Sequence, residues 1–204
     1  DGSLWLGTEK GLFHQNPSGK LRAVPRSDGR DGGQIRSLLR AQDGQFWVGS
    51  DLGLFRHQDG QLSLQQLPIE TISVMALLEP VPGKLLLGTL SHDGLLLHDG
   101  KRWQRLGQTA GLPANAAYSL LRDGHYLWVS GDRGVYRVDL PALLAAPGTG
   151  MPAPAQMLLT QSIKNAPGQQ AFCCVGGGSG RSLLHDGRFW AASPDGLYAI
   201  DRHA

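Results

Sequence analysis

Three His-Asp-Gly tripeptides stand out first, at His92-Asp93-Gly94, His98-Asp99-Gly100 and His185-Asp186-Gly187. An imidazole beside a carboxylate can hold a metal ion, provided that further His or Asp side chains converge on it. None of the seven histidines shows ligand spacing, and each Asp-Gly reads as a turn, because Asp hydrogen-bonds its own backbone and Gly takes positive φ. Gly176-Gly177-Gly178-Ser179-Gly180-Arg181 suggests a phosphate cradle, but lacks the Gly-Lys-Ser/Thr ending and the following helix that such a loop needs. A glycosidase would need two carboxylates across one cleft, and the acids here fall mostly in turn dipeptides. Cys173 and Cys174 are adjacent, so on a strand they would face opposite ways, as small buried residues. These residues give no catalytic, metal or cofactor assignment.

What they share is the spacing of their frame. Asp43-Gly44-Gln45-Phe46-Trp47-Val48-Gly49 followed by Gly53-Leu54-Phe55 reads as turn, strand, turn, strand. Aromatic and β-branched residues suit a strand, and three apolar residues in a row suit one buried on both faces. The stretch recurs around Trp5 and Gly11, Leu86 and Gly94, Trp128 and Gly134, and Trp190 and Gly196. Each Trp stands six residues before its Gly. The first three steps between these glycines are 42, 41 and 40 residues, and the last is 62. A period near 40 with several strands per repeat marks propeller blades.

The expected fold is therefore all-β: a propeller of four-stranded antiparallel blades. Blade motifs fall near 1–24, 35–66, 72–106, 117–162 and 170–201, with an insertion over 140–155. Pro141 opens a short helix there that Pro147 and Gly148 should stop. In the last blade, Gln170–Val175 is expected as the inner strand. The first blade lacks an inner strand and the last an outer one, so an open arc with apolar faces at both ends is expected. The repeated tryptophans should pack between blades, and Trp103, beside Lys101 and Arg102, is the exposed aromatic.

The 204 residues carry a net charge of +2, too little to argue for nucleic acid. There is no run of 18 apolar residues. Binding residues belong on loops and inner-strand ends around a propeller's channel, which selects Arg36, Ser73, Tyr118, Asp132 and Arg133.

Nearly the whole chain resembles the two-component regulator propeller repeat family. The pattern is a Gly-Leu-Pro loop, a short apolar strand, Asp-Gly, Leu-Trp-Val-Gly-Thr and Gly-Leu. Residues 111–135 follow it, with Ser130 in place of the small Gly, and 171–201 look like a closing repeat. The resemblance implies the periplasmic part of an inner-membrane receptor, the C-terminal portion of a seven-bladed propeller. It further implies a covalently linked output domain, a histidine kinase or, from the Cys-Cys-x-Gly-x-Gly start, a diguanylate cyclase. The implied ligand is an extracellular small molecule or glycan, and a homodimer is a further expected partner. A protein-interaction scaffold and a propeller lyase or glycosidase are the alternatives.

Overall fold

The computed structural model describes residues 2–69, 73–90, 94–106, 111–112, 116–132, 134–149, 153–160, 182–193 and 196–203. Among them the strands form five antiparallel sheets in chain order. The first holds β1 (Leu4–Thr8), β2 (Gly11–Gln15) and β3 (Leu21–Val24), and the second β4 (Ile35–Arg40), β5 (Phe46–Ser50), β6 (Gly53–Gln58) and β7 (Gln61–Leu64). The third holds β8 (Val74–Leu78), β9 (Leu85–Thr89), β10 (Leu95–His98) and β11 (Trp103–Arg105). In the fourth, β12 (Ala117–Asp123), β13 (Tyr126–Gly131) and β14 (Gly134–Asp139) are followed by a helix, α1 (Leu140–Thr149), and by β15 (Ala155–Thr160). The fifth holds β16 (Leu183–His185), β17 (Arg188–Ser193) and β18 (Gly196–Asp201).

Each sheet is a meander, and successive sheets pack side by side through their first strands: β1 on β4, β4 on β8, β8 on β12, β12 on β16. This is a propeller arrangement. By register, β1 matches β5, so the first sheet lacks the innermost strand, and the fifth ends on its third. The repeated tryptophans hold one register position: Trp5 faces His14, Trp47 faces Arg56, Trp128 faces Arg137 and Trp190 faces Ala199 across the second and third strands. Alternation along a strand then sends Trp and Gly toward the following blade. Trp5 lies 4.7 Å from Phe46 and Trp128 stacks at 4.9 Å on Phe189. Trp47 joins the cluster of Leu54, Val74, Leu85 and Leu87.

Glycine is required at two kinds of position. Gly53 has φ of +127°, and Gly11 and Gly134 are similar, a region closed to side chains with a Cβ. Gly88 is needed for close approach, since a Cβ there would sit 2.6 Å from the Ala117 carbonyl oxygen of the next blade. At this place in the fourth blade stands Ser130, whose Oγ lies 3.2 Å from Ser182 Oγ.

The helix is longer than expected. The helix runs ten residues, through Pro147. The helix start is secured by Asp139 Oδ1, which accepts the Ala142 N–H at 2.8 Å, and burial of Leu140 and Leu143 holds the helix on the core. The strand that pairs with β17 is Leu183–His185, whereas the expected inner strand, Gln170–Val175, lies outside the described residues together with Cys173, Cys174 and the glycine run. Trp103 is on the outer strand, half-buried, with its ring 4.6 Å from His98.

Candidate functional site

The first strand of a blade pairs on one side only and turns its other edge to the channel. In three blades this strand is interrupted at the same place. The ladder slips between Ile35 and Ser37, between Val74 and Ala76, and between Ala117 and Ser119. Arg36, Met75 and Tyr118 are the extra residues, and a bulge re-aims the side chain it carries. Arg36 and Tyr118, both selected from sequence, thus share one structural position. Its third occupant is Met75; Ser73 lies two residues earlier, where its carbonyl accepts the Leu90 N–H at 3.0 Å.

Asp132 lies in the turn between β13 and β14, and its Oδ1 accepts the Ala116 N–H at 3.0 Å. Asp51 does the same in the second blade, accepting the Gln34 N–H at 2.8 Å. A carboxylate here therefore ties the connection that feeds the inner strand, a framing role repeated in two blades. Arg133 lies outside the described residues.

Tyr118 is buried against Met75 and Ala116. Burial, and secondarily the Asp132 carboxylate, pushes its phenol up to about 12, so at neutral pH it is a protonated O–H. Tyr136 is shifted upward by the same two causes. Beside Tyr118 opens a cavity of about 240 Å³ among the inner strands, lined by Ser37, Met75, Ser119 and Ser182 with Leu38, Leu77 and Leu120. That is below the ~300–1,000 Å³ usual for drug-sized ligands, so it suits a small molecule. Among the described residues no charged side chain is in its lining. Ser37 Oγ is buried and has no hydrogen-bond partner among the described residues, the kind of group that calls for an explanation.

The three serines were not selected from sequence, although a signal was there. Ser37-Leu38-Leu39, Ser119-Leu120-Leu121 and Ser182-Leu183-Leu184 each stand shortly before an Asp-Gly turn. Three separate blades deliver the same residue to one cavity.

Of the His-Asp-Gly tripeptides, two are described and both are turns. Asp99 accepts the N–H groups of Lys101 and Arg102 at 2.9 Å, and these, Arg102 foremost, hold its carboxyl down at about 2. Asp186 and Gly187 both have positive φ, 50° and 70°, the mark of a type I′ hairpin. His92 and Asp93 lie outside the described residues. Among the described residues no three His, Cys, Asp or Glu side chains gather as a metal site would require.

No protein-family profile matches the chain, and no curated protein matches it in sequence. Solved structures do resemble it. The extracellular domain of BT4673, a proposed hybrid two-component system from B. thetaiotaomicron, is 21% identical with a TM-score of 0.69 over 98% of this chain and 26% of that one. The extracellular domain of BT3049, a proposed hybrid two-component system of the same organism, is 19% identical with a TM-score of 0.67 over the same shares. XC5397, a gluconolactonase from Xanthomonas campestris, is 14% identical with a TM-score of 0.61 over 98% of this chain and 68% of its own. At these identities the likeness carries the fold. The chain spans about a quarter of the two extracellular domains, 26% of each. Together with the register this defines an all-β chain of propeller blades, and no described helix is long and apolar enough to cross a membrane.

Proposed function

We propose that the chain is the ligand-sensing part of an extracytoplasmic propeller in a membrane-bound signalling receptor, with its output domain, a histidine kinase or diguanylate cyclase, outside this chain. The ligand is a small, neutral, hydroxyl-bearing molecule of the saccharide class. The observation that carries this reading is the convergence of Ser37, Ser119 and Ser182 with Tyr118 on one uncharged cavity. Hydroxyls donate and accept, which matches a sugar's own groups, and the leucine and methionine walls match its apolar faces. The frame that presents them is constant, while the bulge position varies among Arg36, Met75 and Tyr118, as a rigid scaffold with variable binding residues requires. The likeness to extracellular domains of two-component systems supports the sensory role.

Signalling needs two states that bind the ligand differently. The test is a thermal-shift screen of neutral mono- and oligosaccharides, with product analysis on each. A saturable rise in Tm, lost in Tyr118→Phe and in Ser37→Ala, with the saccharide recovered intact, is the expected result. The second reading, a lactonase or glycosidase, draws on the fold shared with XC5397; turnover abolished by replacing one carboxylate would establish it and overturn the sensor reading.

A further inference from the structure

The turn between β14 and β15 differs from its counterparts. In the second blade the equivalent connection is the two-residue turn Asp59-Gly60, with φ of 51° and 77°. In the fourth it is the ten-residue helix α1. Leu140 and Leu143 of this helix are buried in the core shared by the third and fourth blades. Leu140, Pro141 and Leu144 also wall a cleft of about 490 Å³, closed on the other side by Val81, Lys84 and Arg122. That volume falls within the range of small-molecule sites. The cleft lies at the hairpin turns joining first to second strands, the end of the blades opposite Asp132 and the loops feeding the inner strands.

Its electrostatics are one-sided. Lys84, Arg122 and His125 line the cleft, and among the described residues no carboxylate does, although Lys84 also lines a neighbouring cavity with Asp43 and Glu79. Neither Lys84 nor Arg122 has an ion-pair partner among the described residues. Arg122 is held in place by carbonyls: Nη1 donates to Pro80 O at 2.7 Å and Nε to Gly124 O at 3.2 Å. This fixes the guanidinium without an ion pair among the described residues. Two acids lie close in sequence to these contacts, Glu79 before Pro80 and Asp123 after Arg122. Glu79 accepts the Gln42 and Gly83 N–H groups at 2.7 and 3.0 Å, and Asp123 pairs with Arg202. An apolar wall facing two cations that make no ion pair among the described residues is complementary to an anion with an aliphatic body.

We infer that this cleft is a second binding site, distinct from the serine-lined cavity, and that it takes a small amphipathic carboxylate. The hydrocarbon lies along Leu140, Pro141 and Leu144, and the carboxylate accepts from Lys84 and Arg122. The insertion of α1 is what creates the wall, so the site belongs to the fourth blade alone among the described blades.

Calorimetric titration of the full chain with octanoate, octanol and inorganic phosphate tests this. Octanoate should saturate a single site, octanol should bind about tenfold weaker or less well still, and phosphate should not saturate. Lys84→Gln should weaken octanoate about tenfold, the loss expected for one charge-assisted contact, and Leu144→Asp should abolish binding. Lys84 packs into no core, so its variant keeps the test valid if Leu144→Asp fails to fold. Tyr118→Phe should leave octanoate affinity unchanged. Equal affinity for octanol and octanoate, no saturation, an unaltered Lys84→Gln, or a loss in Tyr118→Phe would each overturn the proposal. The last of these would place octanoate in the Tyr118 cavity and count against its preference for neutral ligands, whereas the other three leave the saccharide reading untouched.

Discussion

Leu54 and Leu197 follow the same glycine in two blades and pair with the second strand at the same register. Leu54 is fully buried, while Leu197 is 67% exposed. The difference is the neighbour. In the second blade Leu54, Leu39 and Trp47 pack on Val74, Leu85 and Leu87 of the third. In the fifth blade Leu183 and Leu197 are exposed, and Trp190 is half-buried. The first sheet mirrors this on its other side. Leu4 and Leu6 hold the positions of Phe46 and Val48 yet are exposed. So the repeated residues encode the junction between blades more than the blade itself, and their energetic weight depends on whether the junction is made. Exposed apolar faces of this kind mark association surfaces.

The largest effect that could break this comparison is at tryptophan. Trp128 is fully buried and stacked on Phe189, and Trp128→Ala should cost about 3–5 kcal/mol, the range for emptying a buried aromatic site. Trp190→Ala should cost less than about 1 kcal/mol, as a substitution without a packed partner. Equal losses in urea denaturation would refute the junction account. Glycine gives the next test. Gly88→Val drives a side chain against the Ala117 carbonyl and should destabilise by about 2–3 kcal/mol. Ala192→Val, at the matching place in the fifth blade, should stay within about 0.5 kcal/mol.

A third pair should show no contrast. Gly53 and Gly11 have φ of +127° and +114°, and backbone strain is local, so Gly53→Val and Gly11→Val should each cost about 1–3 kcal/mol. A large difference between them would mean that packing, and not strain, sets the cost.

The smallest effect is titratable. His57 sits in the first junction, its ring 4.8 Å from Trp5. Burial first, then the charges of His14 and Arg40, lower its pKa from the ordinary 6.5. The unfolded chain then binds the proton more readily than the folded one, so the contribution of neutral His57 is present above about pH 6.5 and is lost as pH falls through the folded value. Melting curves from about pH 7.5 to about pH 5 should show a decline that His57→Gln makes shallower. The same decline in the variant would assign it to other groups.

The period, the blades and the Trp and Gly positions were legible because they rest on local chemistry: φ at Gly53, alternation around Trp47, turn formation at Asp99. The pairing of Leu183–His185 with β17 was not, because it is settled by register across a tight turn, and three residues suffice for it. Of the candidate residues, Arg36 and Tyr118 fall together at a bulge that no propensity scale encodes. Asp132 proves to hold a backbone N–H. Ser37, Ser119 and Ser182 escaped because the recurring Ser-Leu-Leu before an Asp-Gly turn gains chemical meaning only when three blades bring the serines to one place. The reach of α1 through Pro147 was likewise hidden, since it rests on the burial of Leu140 and Leu143 in the core against proline's local penalty.

On the proposed function, the inner-strand cavity, and not the opposite end of the blades, receives the sensed ligand. Hydrogen–deuterium exchange with a saccharide that raises Tm addresses it directly. The account predicts slowed exchange over Ile35–Arg40, Val74–Leu78 and Ala117–Asp123, with α1 unchanged and the saccharide intact. Protection confined to α1 and the turn at Gly124, or release of a product, would contradict it.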